Sequence, residues 1–510
     1  MIYPLQTWFR RHPARALYVL LLLLTVVPLV YGMYHEPIHL WDESRIAVNA
    51  AEMALNRNWL VTHFEGQPDL WNTKPPLLIW LQALCIRLLG FTELAIRLPI
   101  LVAVIVTVSL LYWFSVRVLR SVPAGLFAGL VLLTSGGYFR VHVARSGDYD
   151  GLLVLWELLL MVGFFRYLEL RKSRDWWLFT AALICAVLTK GVAGLLGLPG
   201  LAVYVLWQGK LGELITDKKL YASIGLFVLL IGGYYAAHEW ATPGYWQAVQ
   251  ENELGGRYTT PLNNLGGPWN FYLQYLKMRH FVPWIGFLLP AALLAWLQPD
   301  MRQRRAVGLL LLFSGSWLAV ISSATTKMAW YEAPVYPALA LIVGLGLAWI
   351  WQAMYPVYVA RYLPESVGLL LGTALIFLLP YRDMTIDLRT EVQHNNEYDA
   401  YTAHLKAASA AGARALTVVV PDVIQSPTIS TPHDPGRDYA PVFTFYQLAY
   451  QQELGLQLTL RNQRQLGALH TADTVVVCDA RLRQQLAARF TLRPVQEVGA
   501  CQTLVVEAPR

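Results

Sequence analysis

The run Trp41-Asp42-Glu43-Ser44-Arg45 sets two carboxylates and a guanidinium within four residues. Asp42 and Glu43 are adjacent, so on a helix they point about 100° apart and cannot act as a matched acid/base pair. One of them faces a cavity, where a carboxylate takes a proton from a nucleophile. The other caps or pairs locally, and an acidic first helical turn is the plainer reading of both. Lys74 precedes Pro75 and Pro76. A residue before proline avoids the α region, so its ammonium stands at a fixed point, fit for a phosphate or for anchoring the loop by snorkelling. A third cluster, Arg145-Ser146-Gly147-Asp148-Tyr149-Asp150, is followed by Glu157. Glu157 lies two turns beyond Asp150 on the same helical face, which points into a protein interior or a wet cavity rather than lipid. The fourth comprises His238, Glu239, Glu251, Asn252, Glu253, Arg257, Tyr258, Arg279 and His280, and the fifth holds Lys327 and Tyr331. Carboxylates, cations and phenols together fit an anionic, lipid-linked substrate. No Gly-rich nucleotide loop, HExxH or GxSxG occurs, so a soluble nucleotide-sugar donor is poorly supported.

These clusters interrupt an apolar chain. Of 510 residues 56% are hydrophobic and 14% charged, against about a quarter charged in soluble proteins. That excludes a soluble multi-domain enzyme, and 19 Trp with 27 Tyr exclude a disordered chain. The net charge of +7 sits between apolar spans rather than on a nucleic-acid face.

A crossing helix needs about 20 apolar residues. Eleven stretches qualify: 16–34, 98–116, 121–139, 151–165, 176–189, 191–209, 220–237, 281–299, 306–326, 335–354 and 366–380. Basic clusters at 117–120, 171–174, 210–219 and 302–305 alternate with them and put the N-terminus in the cytoplasm. An odd count puts the C-terminus outside. The loops 35–97, 140–150, 238–280 and 322–337 then face outward and carry all five clusters. The run Pro75–Ile86 is too short to cross and reads as a helix in the outer interface.

The fold class is therefore a polytopic α-helical membrane protein, with a membrane domain over 1–380 and a small extracytoplasmic α/β domain over 385–510. Leu416–Val420, Thr474–Val477 and Thr503–Val506 read as its strands. Cys478 and Cys501, next to two of them, are either bridged or ordinary buried thiols.

Taken in order, Asp42-Glu43…Arg45, Lys74-Pro75-Pro76-Leu77, Arg97-Leu98-Pro99, Arg145…Asp150, Leu188-Thr189-Lys190-Gly191, Pro283-Trp284 and Lys327…Tyr331…Pro334…Tyr336-Pro337 resemble the GT-C membrane glycosyltransferases over roughly residues 1–340. Within them the chain is most similar to the bacterial lipid A aminoarabinose transferases, a branch related to the protein O-mannosyltransferases. The resemblance implies transfer of a sugar from a polyprenyl-phosphate donor, of the undecaprenyl kind, to an envelope acceptor at the outer face of the bacterial inner membrane. It implies Asp42 as general base, with Asp150 as the second aspartate and Asp148 as its fallback. Lys74 would bind the donor phosphate, with Lys327, Tyr331, Arg257 and Lys190 beside it, and Glu43 and Arg45 stand in the same motif as Asp42. Aminoarabinose transferases carry a glutamate before that lysine which helps hold zinc. Here that position is Thr73, and their histidine ligand falls near Asn252, so no metal or other cofactor is firmly implied. The rival readings are a protein O-glycosyltransferase with the same donor class and, from another class, a transporter or flippase of lipid-linked substrates.

Overall fold

The computed structural model describes residues 12–39, 42–259, 265–394, 414–420, 441–499 and 501–510, with a few residues between 404 and 412. Its main helices are α1 (Pro13–His35), α2 (Asp42–Asn56), α3 (Leu77–Leu89), α4 (Glu93–Arg117), α5 (Val122–Leu133), α6 (Tyr149–Leu170), α7 (Ser173–Lys190), α8 (Leu198–Trp207) and α9 (Lys218–Phe227). Then follow α10 (Ile285–Leu297), α11 (Met301–Ser323), α12 (Tyr336–Met354), α13 (Glu365–His394), α14 (Pro441–Leu454) and α15 (Ala480–Arg489).

Every one of the eleven expected stretches is helical, but they are not eleven full-length crossings. Among the described residues, eight helices are long and apolar enough to span a membrane, or nine if a bent pair counts as one. The pair is Phe271–His280 with α10, bent by 105° at a turn that holds Pro283. Proline lacks the N–H that would continue the helix. The stretch expected over 121–139 ends early, as the 12-residue α5. There the hydroxyls of Thr134 and Ser135 turn back onto the carbonyls of Leu130 and Val131 at 2.7 and 2.5 Å, and Gly136-Gly137 follows. The stretch expected over 191–209 gives α8, 10 residues long. The protein is a multi-pass membrane protein, and α3, 13 residues long, is too short to cross unaided.

The contacts fall into two compact units. The first takes the chain up to Tyr31, Asn72–Leu78 and Pro99–Leu388. Its helices pack closely where small residues allow it, as in membranes where van der Waals fit holds helices together. A Cβ on Gly344 of α12 would lie 2.6 Å from the Ala128 backbone nitrogen of α5. One on Gly163 of α6 would lie 2.9 Å from the Phe179 nitrogen of α7.

The second unit takes Gly32–Trp71, Ile79–Leu98 and Arg389–Arg510. It holds α2, the short hairpin β1 (His63–Phe64) and β2 (Gln67–Pro68), and a five-stranded sheet. The sheet strands are β3 (Ala415–Val420), β4 (Gln457–Asn462), β5 (Thr474–Val477), β6 (Phe490–Val498) and β7 (Cys501–Pro509), in the order β4-β3-β5-β7-β6. β3 pairs in parallel with β4 and β5, while β7 is antiparallel to β5 and β6. Val419, Val475, Val477, Leu482, Leu486 and Leu504 form its core. Cys478 and Cys501 are bridged, closing the end of β5 onto the start of β7.

Candidate active site

In the first unit, Asp150 lies in the first turn of α6 and Lys190 ends α7. Each charge complements the dipole end at which it sits. Lys190 Nζ reaches both oxygens of Asp150 at 2.6 Å. Gly191 then breaks the chain with φ +55° and ψ −131°, a conformation that favours glycine. Its α-carbon region passes Pro75, whose Cδ would lie 3.8 Å from an added Cβ. The Thr-Lys-Gly and Lys-Pro-Pro motifs are thus neighbours.

Lys74 lies with its ammonium 3.3 Å from Glu253 and 5.5 Å from the centre of the Tyr149 ring. Glu253, on the turn Gln250–Leu254, also accepts from the Thr73 hydroxyl at 3.2 Å. The Thr73 carbonyl accepts from Tyr245 at 2.8 Å, and Tyr245 stacks on His238 at 3.5 Å between ring centres. Glu253 of the fourth cluster therefore holds Lys74 by its charge, and Tyr245 holds the adjoining Thr73 carbonyl.

Tyr331 completes the group. Its ring centre is 5.2 Å from Lys190 Nζ, and its carbonyl accepts from the Trp317 indole at 2.9 Å. Lys74, Asp150, Lys190, Glu253, Tyr258 and Tyr331 line one cavity of about 300 Å³. The rest of its wall is mainly apolar, from Leu153, Val192, Leu196, Trp317, Val320 and Ile321 among others. A polar end with two ammonium groups and an apolar remainder matches the two parts of a lipid phosphate.

The turn Ala329–Val335 that carries Tyr331 is anchored on both sides. Trp330 stacks on His142 with ring centres 4.0 Å apart, and His142 faces Asp148 at 3.4 Å. Asp148 accepts from Ser146 at 2.5 Å, so it organises the loop before α6 rather than the cavity wall. Glu332 is fully buried and bonds His280 Nδ1 and, at 2.5 Å, the Tyr336 hydroxyl. Arg140 donates to His280 Nε2 at 2.5 Å, which leaves the imidazole proton on Nδ1, facing Glu332. Gly137 lets this network close: any Cβ there would collide with the Tyr336 hydroxyl and lie 2.7 Å from His280 Cβ.

The remaining candidates are placed differently. Lys327 is buried, and its ammonium donates to the carbonyls of Ser322, at 2.7 Å, and Ala324. It caps the last turn of α11, a common use of lysine at a helix C-terminus. Arg257 lies on the short helix Gly256–Thr259, and its side chain is outside the described residues. Glu157 is fully buried on α6, two turns from Asp150.

In the second unit, Asp42 opens α2 and is exposed. Glu43 is held instead as a structural group. Arg97 bonds its two oxygens at 2.7 and 2.9 Å, and the His39 amide donates to it at 2.8 Å. Burial alone would raise the Glu43 carboxyl; the Arg97 guanidinium outweighs it and holds the group at about 2. Arg45 is likewise engaged, bidentate to Asp69 at 2.6 and 3.0 Å and 4.3 Å from the Phe64 ring centre.

A zinc site at Thr73–Lys74 does not fit these groups. The donors there are a hydroxyl, an ammonium and one carboxylate that both already engage; zinc takes Cys, His or free carboxylates in a tetrahedral set.

The structure overlays on that of ArnT from Cupriavidus metallidurans in the apo state with a TM-score of 0.66 and 17% identity, covering 98% of this chain and 100% of that one. The same protein bound to undecaprenyl phosphate gives 0.64 over 96% and 99%. The chain has the GT-C fold. Residues 73–233, which carry Lys74, Asp150 and Lys190, match the family described as dolichyl-phosphate-mannose-protein mannosyltransferase. The GT-C resemblance extends to curated sequences. An undecaprenyl phosphate-alpha-4-amino-4-deoxy-L-arabinose arabinosyl transferase of Pseudomonas fluorescens is 28% identical over 71% of this chain and 62% of its own length. One from Pseudomonas aeruginosa is 29% identical over 60% and 56%. The chain thus spans between 56% and 62% of the length of these curated relatives.

Proposed function

We propose that the protein is a glycosyltransferase that moves an aminoarabinose-type pentose from undecaprenyl phosphate to a lipid A-type acceptor at the outer face of the bacterial inner membrane. The observation that carries this reading is the cavity whose polar end holds Lys74, Lys190, Asp150 and Tyr331 and whose other walls are apolar. The names of the similar arabinosyl transferases supply the sugar and the carrier.

The isoprenoid lies along the apolar wall and its phosphate meets Lys74, displacing Glu253. As the bond between the anomeric carbon and the phosphate oxygen breaks, negative charge gathers on the leaving phosphate. Fixed cations in a site poor in water stabilise that charge in the transition state. Asp150 holds Lys190 in place, and Tyr331 walls it in. The acceptor oxygen attacks from the opposite face, so the anomeric configuration inverts. For a hydroxyl acceptor, the family resemblance offers Asp42 as the base that takes the proton; an acceptor phosphate needs no base. No step is routed through a metal at the Thr73–Lys74 corner, whose donors do not fit zinc.

The match over 73–233 favours one second reading, a protein hydroxyl as acceptor. Mass spectrometry of products separates the two. Purified protein with undecaprenyl-phosphate aminoarabinose and lipid A should add one pentose to the lipid. Modified protein with unmodified lipid A would establish the second reading, and no transfer by folded protein to either would refute both.

A further inference from the structure

A second cavity lies in the first unit, and no candidate catalytic residue lines it. It is a groove of about 760 Å³ between the start of α1 and the end of α4. The two helices run antiparallel and are tied at two levels. Tyr112 donates to the Ala14 carbonyl at 2.6 Å, and Tyr18 to the Ser109 hydroxyl at 2.8 Å. The groove floor is apolar and aromatic, with Val106, Leu110, Trp113 and Val116. Its rim carries His12, Arg15 and Arg117, and among the described residues no Asp or Glu lines it.

Two further features bias the rim toward an anion. Arg15 and Arg117 are exposed, so they are available to a ligand. The first turn of α1 leaves amides without intrahelical acceptors, at the positive end of its dipole. Arg166, 4.8 Å from the Trp113 ring centre, adds no free charge, because its guanidinium is met by Asp175 at 2.9 and 3.0 Å. In a membrane, a basic pocket between helices on the side rich in Lys and Arg recognises an acidic lipid headgroup. Trp113 and Val106 are 39% and 38% exposed, which gives a hydrocarbon chain an apolar surface directly below the charges.

We propose that this groove binds one anionic glycerophospholipid, its phosphate between Arg15 and Arg117 and one acyl chain along Leu110 and Trp113. This is a site for a bilayer lipid, separate from the donor cavity, and it stands or falls without any measurement of sugar transfer.

Trp113 is the built-in probe. Full-length protein is placed in phosphatidylcholine nanodiscs containing a rising minority of phosphatidylglycerol with brominated acyl chains, or of brominated phosphatidylcholine. The fluorescence difference between wild type and Trp113→Phe isolates the Trp113 signal. Brominated phosphatidylglycerol should quench that signal at a roughly tenfold lower fraction than brominated phosphatidylcholine. The preference should vanish in the double variant Arg15→Gln/Arg117→Gln. In wild type it should also weaken at high salt, which tests the charge term should the double variant fail to fold. Equal quenching by both lipids would mean ordinary annular contact and overturn the proposal. So would a preference that survives high salt, or a Trp113 signal that neither lipid quenches because other chain fills the groove.

Discussion

Glu43–Arg97 in one unit and Asp150–Lys190 in the other are both buried carboxylate–cation pairs, yet they are surrounded in opposite ways. Arg97 spends its donors on both Glu43 oxygens and on the carbonyls of Met33, Glu36 and Pro37, at 2.5 to 2.7 Å for the carbonyls. It is a knot that fixes the chain between α1 and α2 to α4. Asp150–Lys190 instead forms part of a cavity wall, under an aromatic ring and beside a second lysine. A buried ion whose every donor is satisfied by its own chain has nothing left for a ligand. A pair facing an open volume can strengthen its field on whatever enters. Burial of charge alone therefore does not mark the site; burial of charge beside a cavity does.

Breaking the knot should have the largest effect. Arg97→Ala leaves Glu43 buried without its partner and three carbonyls without donors, a loss of about 3–5 kcal/mol. The variant should fail to yield folded protein in size-exclusion chromatography, whatever its catalytic residues. Lys74→Ala tests the other side of the contrast. It should lower kcat by roughly 10² to 10³, with thermal unfolding close to wild type. Asp42→Asn, in a hydroxyl-acceptor assay, should cost about 10² or more; an unchanged rate in folded protein would remove Asp42 from the chemistry.

A smaller, graded effect should follow from acid. The Glu43 carboxyl is depressed in the fold, from an ordinary value of 4.5 to about 2. Its contribution is therefore present above pH 4.5 and is lost as pH falls toward 2. The melting temperature should decline across that window, and the decline should be shallower in Glu43→Gln. The mildest change expected is Glu332→Gln. It keeps the volume but weakens the hold of His280 on the turn bearing Tyr331, and should cost roughly tenfold in kcat with KM nearly constant. Equal losses in Lys74→Ala and Glu332→Gln would mean that Lys74 acts only as a tether.

The pattern of apolar runs and basic loops made the helices legible, and short β-branched runs located β3, β5 and β7. A hydropathy pattern does not report where a run bends or stops, so the 105° break before α10 and the early end of α5 did not show in it, although Pro283 and Gly136-Gly137 stand at the two places. The motifs holding Lys74, Asp150 and Lys190 stood out because charge is rare in this chain. What each charge does depended on partners far away in sequence. Glu43 and Lys327 look as free as Asp150 and Lys74 until Arg97 and the carbonyls of α11 are in view. Of the Arg140–His280–Glu332–Tyr336 network, His280 and Tyr336 stood in separate clusters, but nothing in their spacing joined them; the glycine at 137 makes room for their contact.

Direct binding of undecaprenyl phosphate measures whether the cavity end at Lys74 is a phosphate site. Purified wild-type protein should bind it saturably, and Lys74→Ala should bind at least tenfold more weakly with an unchanged melting temperature. Indistinguishable affinities for the two folded proteins would contradict a phosphate site there.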